Sequence, residues 1–358
     1  MVIELPISKS IANRLLILQA IHGDELMPVS DTMPVDVQIL HRALCLIASS
    51  PHCLIDVGNC GTAMRFLTAY CAQLEGQTTI LAGVERMHHR PIGQLVDALR
   101  VIGADIEYLG EEGFPPLRNK GCILDKHRIV TINNPLSTQY ISALLLIGAN
   151  VITNSTSPYI YITQEVIKQY QLSPFSFHLT VEKDWSAAAF WYEYVALHGG
   201  EVTLPGLLRD SLQGDKVVAD IFTYLGVHTT YTDEGVVISF SPLHPTPYIL
   251  YHDFVACPDL YPAVALTCER LGIELHAIGV ESLPLKESDR LRAVHEHRTD
   301  HDHRMAMALL IAGYEVDDTA CISKSYPQFM EEYYKLISQT PCPHRTKTGQ
   351  KPHYSEQS

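Results

Sequence analysis

The chain alternates between two hydrophobic periods. From Val96 to Ile102 apolar residues fall at helical spacing, then Gly103 interrupts, and Ala104-Asp105-Ile106-Glu107-Tyr108 alternates as a strand does. The same order returns from Ala219 to Tyr231, with Gly226 at the break. Glycine there suits the left-handed residue that closes a helix, and the β-branched or aromatic run behind it suits a strand. Weaker copies run from Leu40 to Val57 and from Glu165 to Thr180. Repeated helix-then-strand units predict an α/β fold with helices packed on sheets. Val236 to Phe240, behind the Asp233-Glu234-Gly235 turn, reads as the second strand of a hairpin, so the sheets are predicted to be mixed. A short strand is predicted from Ile3 to Pro6, leading into a helix that begins near Ile11. The stretch Ser241 to Pro247 reads as a loop, and the polar, aperiodic tail 341–358 as disordered. After Arg290 the repeat stops: Arg292 to Asp302 is polar and rich in histidine where another helix, glycine and strand would follow.

Length then sets the number of cores. A chain of 358 residues is long for one core and predicts two domains. With 46% hydrophobic and 18% charged residues it buries enough apolar surface to be globular. Its formal charge of −14 argues against a nucleic-acid partner. No apolar run reaches the roughly 18 residues of a membrane span, and Met1 to Ser10 does not read as a secretory leader. A cytoplasmic chain with reduced thiols is the expectation, since the nine cysteines are scattered without a C-x-x-C pair.

In an acidic molecule, an anionic substrate needs a local basic cluster. Ser8-Lys9-Ser10 with Arg14 one turn on stands at a strand-to-helix junction, and Gly58-Asn59-Cys60-Gly61-Thr62 precedes another helical run. Both offer free backbone N–H groups to a phosphate or carboxylate. Arg86 to Pro91, Lys286 to Arg290 and Asp302 to Ala308 each set cations beside acids or at a helix start. Taken singly, a capped helix with a solvated cation explains the first equally well and the last three better, and the Gly58 run alone is a weak signal.

Together these stretches resemble the 5-enolpyruvylshikimate-3-phosphate synthases. In family order the chain carries Leu-Pro-Ile-Ser-Lys-Ser, Gly-Asn-Cys-Gly-Thr-Ala-Met-Arg, Arg-Pro-Ile-Gly, Leu-Ser-Thr-Gln-Tyr-Ile-Ser-Ala-Leu-Leu, Lys-Glu-Ser-Asp-Arg, Asp-His-Arg-Met-Ala-Met and Ser-Lys-Ser-Tyr-Pro, between Leu5 and Phe329. The resemblance implies a two-lobed enolpyruvyl transferase fold of repeated βαβαββ units, here with the last repeats shortened. It implies an N-terminal lobe over 11–183 and a discontinuous C-terminal lobe over 1–10 and 184–340, in a chain that is usually monomeric. The implied reaction joins phosphoenolpyruvate to the 5-hydroxyl of shikimate 3-phosphate and releases phosphate, on the way to chorismate and the aromatic amino acids, without cofactor or metal. Lys9, Gly61, Arg90, Gln139, Arg290, Arg304 and Lys324 would surround phosphoenolpyruvate. Ser10, Arg14, Ser137, Thr138, Gln139, Tyr159, Asp259 and Lys286 would hold shikimate 3-phosphate. Lys9 and Asp259 are candidates near the hydroxyl, and Glu287 near the methylene, its acid form favoured by a dry site. Gly61, Arg90 and Lys324 also imply sensitivity to glyphosate.

The chain departs from the family's pattern in places. Ile7 stands for a glycine, Thr138 for a serine, Ser282 for an asparagine, and Phe66 near a frequent proline. Only eleven residues separate Arg290 from Asp302, which removes about one helix, strand and hairpin. The expected costs are exposed apolar surface and an Arg304 misplaced against Arg290, so a binding relative without turnover is one alternative. A nucleotide-sugar enolpyruvyl transferase is another, though Val84 to Arg90 lacks the cysteine usual there. The run His295 to His303 also resembles a metal-binding cluster, without an apolar strand leading into it.

Overall fold

Helices and strands alternate through the first half in the order α1 (Lys9–His22), α2 (Val35–Ser49), β1 (His52–Asp56), α3 (Gly61–Ala72), β2 (Thr78–Ala82), α4 (Glu85–His88), α5 (Gly93–Val101), β3 (Asp105–Tyr108), β4 (Leu117–Lys120), β5 (Ile129–Thr131), α6 (Thr138–Leu146), β6 (Asn150–Ile152) and α7 (Pro158–Leu172). The second half continues with α8 (Trp185–His198), β7 (Glu201–Pro205), α9 (Val218–Thr223), β8 (Val227–Tyr231), β9 (Gly235–Phe240), β10 (Ile249–Asp253), α10 (Tyr261–Leu271), β11 (Glu274–Ile278), α11 (Arg290–Glu296), α12 (His303–Ile311) and α13 (Phe329–Gln339). This computed structural model describes residues 1–172, 181–241 and 248–339. The end of the expected strand before Thr180, most of the loop to Pro247 and the tail 341–358 lie outside the described residues.

Both glycine breaks stand where the pattern placed them. Gly103 and Gly226 have φ of 101° and 84°, conformations that a β-carbon disfavours, and each separates a helix from the strand behind it. The hairpin is also present, with Tyr231 opposite Val236. The sheets are mixed, since β1 pairs parallel with β2 while β4 runs antiparallel to β2 and β3.

Sheet order β1-β2-β4-β3 makes one complete βαβαββ unit, with α3 and α5 as its crossovers. The lower sheet repeats this arrangement in an unexpected way. Its order is β7-β9-β8, and the N-terminal segment lies parallel on the free side of β7, through Val2 and Thr203, in the position that β1 holds above. The expected strand from Ile3 to Pro6 is therefore only a pair of bridges. Val2 pairs on β7, whereas Ile7 pairs antiparallel with Lys183, and Pro6 between them has no N–H to extend a ladder.

Apolar burial divides in two. One core gathers side chains from Ile11 to Tyr170; the other takes Ile3, Leu5 and side chains from Trp185 to Leu336. The chain passes between them twice at adjacent places, where Ser8 N–H donates to the Glu182 carbonyl at 2.7 Å and Asp184 N–H to the Pro6 carbonyl at 3.0 Å.

Shortening is visible in the last unit. β10, α10, β11 and α11 supply its first half, and the chain then enters α12 directly, leaving β10 and β11 as a two-stranded parallel sheet. Tyr251 and Ile278 on that sheet stand exposed, as the missing cover predicts. Contrary to the polar reading of Arg292 to Asp302, α11 occupies Arg290–Glu296, begun by Asp289, whose carboxylate accepts from Arg292 N–H. The turn that follows uses three left-handed non-glycine residues, His297, Asp300 and His301. It is tied down by Thr299, which donates to Asp317 at 2.5 Å, by His301 against Asp318 at 2.6 Å, and by the His297 ring stacked 4.0 Å from Tyr314.

Candidate active site

A cavity of about 470 Å³ lies between the two cores. Every residue expected to hold a substrate or carry the chemistry lines it except Lys324, which bonds the lining residue Glu287. The residues arrive largely on helix starts. Lys9 and Ser10 open α1 behind Ser8; Gly61 opens α3; Ser137 caps α6, accepting from Gln139 N–H at 3.3 Å; and Arg304 follows Asp302, which caps α12. Helix starts carry unsatisfied N–H groups and the positive end of the dipole, so their convergence favours anions.

Asp259 is the hub. Its Oδ1 receives Arg290 at 2.7 Å and has Lys286 at 3.6 Å; its Oδ2 receives Arg304 at 2.9 Å and the Tyr159 hydroxyl at 3.4 Å. Arg290 and Arg304 therefore share one carboxylate, and the feared misplacement of Arg304 by the short join does not occur. Asp302 does two jobs in this. Its carboxylate caps α12 through Arg304 N–H at 2.9 Å and holds Arg290 Nε at 2.8 Å, with Ser288 donating to it as well. Arg290 is 1% exposed, and its recorded bonds all go to Asp302, Asp259 and Glu287.

Above the hub, Lys9 pairs with Asp36 at 3.0 Å. Gln139 donates to Thr62 at 3.0 Å, and the Asn59 carbonyl accepts from Arg90 at 3.3 Å and Lys324 at 3.0 Å. Arg14 is bonded to Thr163, Ser142 and the carbonyls of Ser10 and Tyr159, which fixes its guanidinium at the cavity wall.

Charge states follow from this packing. Burial alone would weaken the Lys9 ammonium, but Asp36, with Glu287 and Asp259 behind it, overrides that and holds its pKa above the ordinary value. Burial would likewise favour acid forms of Asp259 and Glu287. For Asp259, Arg304, Lys286 and Arg290 win, and its pKa falls well below the carboxylate range. The acid form expected for Glu287 is likewise not what this packing favours. Lys324 at 2.8 Å, with Arg290 and Arg90, holds it as a carboxylate. Asp215 shows the opposite balance: burial, then the neighbouring Asp259, pushes it up to about 7 while Ser186 donates to it.

Several of these groups gave no sequence signal. Asp36 and Asp215 sit in no phosphate-type motif, and Arg65, behind Gly61 and bonded to the Pro91 carbonyl at 2.9 Å, closes the matched run from Gly58 without an expected role. Asp302 and Ser288 lie inside matched motifs, and a capping position was the available clue. The metal reading of 295–303 finds no support in the geometry. His297 pairs with Glu269, His301 with Asp318, and His303 is buried, and no group of three metal-type donors converges among the described residues.

Two lobes of this fold with cations and carboxylates converging between them define an enolpyruvyl transferase class of protein. The folds of solved structures agree. An EPSP synthase from Acinetobacter baumannii superimposes with a TM-score of 0.64 at 17% identity, covering 94% of this chain and 95% of that one. The enolpyruvyl transferase NikO from Streptomyces tendae gives 0.62 at 13% identity, with 94% of each chain covered. The sequence model of the EPSP synthase family (3-phosphoshikimate 1-carboxyvinyltransferase) matches residues 34–299 and 292–333. A 3-phosphoshikimate 1-carboxyvinyltransferase of Bacteroides fragilis is 36% identical over 395 aligned positions, covering 93% of this chain and 94% of its own. One from Colwellia psychrerythraea is 31% identical, covering 80% and 79%. The chain belongs to the EPSP synthase family. Its two matched pieces overlap at 292–299, the place where the repeat is shortened.

Proposed function

We propose that this chain transfers the enolpyruvyl group of phosphoenolpyruvate to the 5-hydroxyl of shikimate 3-phosphate and releases phosphate, as a cytoplasmic monomer whose lobes are 11–183 and 1–10 with 184–340. The observation that carries it is the hub of Asp259, Arg290, Arg304 and Lys286 joined directly to the Glu287–Lys324 pair at one cavity, in a member of this family. Phosphoenolpyruvate belongs among Lys9, Gly61, Arg90, Gln139, Arg290, Arg304 and Lys324. Shikimate 3-phosphate belongs against Ser10, Arg14, Ser137, Thr138, Gln139, Tyr159, Asp259 and Lys286.

The charge states divide the work. Asp259, ionised, accepts the hydroxyl proton as the oxygen attacks C2, whereas Lys9 stays an ammonium and holds the anions. Glu287 is an anion only because Lys324, Arg290 and Arg90 hold it so. A bound phosphoenolpyruvate competes for those cations, which raises the Glu287 pKa and lets its acid form protonate C3. In the second stage C3 returns that proton, the C2–O bond to phosphate breaks, and the cations receive the departing phosphate.

Phosphate release from purified protein tests this directly. Release that requires both substrates together, and is lost when Asp259 is replaced, supports the transferase. A folded protein that binds shikimate 3-phosphate without release would be the binding relative instead.

Gly61 gives a sharper check. A β-carbon there would lie 2.6 and 2.8 Å from the Arg90 guanidinium nitrogens and 2.9 Å from Arg65. Those are the far ends of flexible side chains, so the fold adapts and Arg90 moves. Losing one charge-assisted bond, about 1.5–3 kcal/mol, predicts that Gly61→Ala raises KM for phosphoenolpyruvate by about tenfold or more. Steady-state kinetics read this, and an unchanged KM would remove Arg90 from that subsite.

A further inference from the structure

The motif Arg86 to Pro91 contains a cation that the proposed reaction leaves unused. Arg86 does not line the cavity. Its guanidinium instead crosses the mouth of the cleft and donates to the main-chain carbonyl of Lys286 at 3.2 Å. We propose that Arg86 is a positioning residue that sets Lys286 and Glu287 relative to the Gly58–Gly61 turn when the cleft is closed.

Both ends of that bond stand on fixed supports. On the Arg86 side, Val84 N–H donates to the Gly58 carbonyl at 3.1 Å, and Met87 is fully buried and takes the Arg65 guanidinium on its sulfur at 3.6 Å. Gly83 rests so closely on this turn that a β-carbon would lie 2.4 Å from the Gly58 carbonyl oxygen. On the other side, Leu283 is fully buried and its carbonyl accepts from Lys286 N–H at 3.3 Å. The same upper turn makes a second crossing through Asn59, whose carbonyl accepts from Lys324, the partner of Glu287. Glu287 thus lies between two crossings. The Lys324 crossing is open to competition from a bound anion, because its ammonium is paired at 2.8 Å with Glu287, which lines the cavity. Arg86 stands outside the cavity, so its bond persists while the substrates turn over.

The kinetic arm of this inference rests on the transferase reading; the structural arm does not. The full chain is compared with Arg86→Gln, Arg86→Lys and, as a neighbouring control, Glu85→Gln. Without substrate, amide hydrogen exchange over 283–289 is expected to quicken about fivefold in Arg86→Gln, the equivalent of about 1 kcal/mol of lost hydrogen bond. In phosphate release, kcat/KM falls about fivefold with the thermal midpoint unchanged, and Arg86→Lys, which still donates one bond, restores most of it. Exchange and kinetics equal to the unaltered chain would overturn the proposal. So would a loss that lysine fails to restore and that comes with a lowered midpoint, since Arg86 would then only prop its own helix. If the unaltered chain releases no phosphate, the transferase reading fails, and the exchange measurement alone decides the role of Arg86.

Discussion

Replacing Asp259 with alanine is expected to lower kcat by about 10³-fold, within the range of roughly 10²–10⁴ for removing a positioned general base. Two effects add there. The hydroxyl loses its proton acceptor, and Arg290, Arg304 and Lys286 lose the carboxylate that spaces them. Breaking a buried ion pair from one side costs about 3–5 kcal/mol where nothing else compensates. Arg290 keeps Asp302 and Glu287, so the loss here falls toward the low end. Asp259→Asn separates the effects, because it keeps the shape and some of the bonding but cannot take a proton. Its thermal midpoint should recover part of the alanine loss while kcat stays low. A folded Asp259→Asn chain with unaltered kcat would take the base role away from Asp259.

What the sequence made legible was local. Glycine breaks at Gly103 and Gly226 mark helix ends because the conformation there excludes most side chains, and that constraint needs no tertiary partner. The cationic residues were legible through motifs, most of them short runs at a helix start, with Lys324 at the end of a short helical turn instead. Their carboxylate partners were not. Asp36 reaches Lys9 from 27 positions away, and Asp215 reaches the Asp259 neighbourhood from another element; in a chain with 40 acidic residues nothing local distinguishes them. The carboxylate form of Glu287 in the ligand-free site was hidden for the same reason, since burial was foreseen but the three cations outweighing it were a matter of assembly. The strand from Ile3 to Pro6 failed because its neighbours, β7 and Lys183, lie on different elements and neither can be read from four residues.

The join after Arg290 shows how a loss of sequence can leave a site intact. The family's missing segment would have completed the β10–β11 sheet, on the outside of the lobe. The site depends instead on α11 and α12 meeting at Asp302, and the short turn achieves that through left-handed residues and side-chain ties to Asp317 and Asp318. Arg290 and Arg304 are thereby held by one pair of acids, Asp302 and Asp259, whatever lies between them in sequence. The geometry of the site survives the short join because of where the ion pairs sit.

Glu193 should be a source of instability that the site does not require. It lies on α8, fully buried in the lower core, and neither carboxylate oxygen has a hydrogen-bond partner among the described residues. Burial alone raises its pKa well above the ordinary 4.5. The folded chain therefore keeps the proton that the unfolded chain releases above about pH 4.5, so stability declines as pH rises through that window until the folded-state pKa is passed. The slope for one proton is about 1.4 kcal/mol per pH unit. Glu193→Met has similar volume, carries no proton and leaves no unsatisfied oxygen in the core. It should gain about 1–3 kcal/mol near neutral pH, the usual cost of an unpaired buried polar group, and should flatten that decline. Denaturant unfolding at a series of pH values from 5 to 8 measures both quantities. A variant with the same slope and no gain would mean that Glu193 is solvated or paired in solution, and the pH dependence would then have to come from Asp215, the other carboxyl that burial raises in the same lobe.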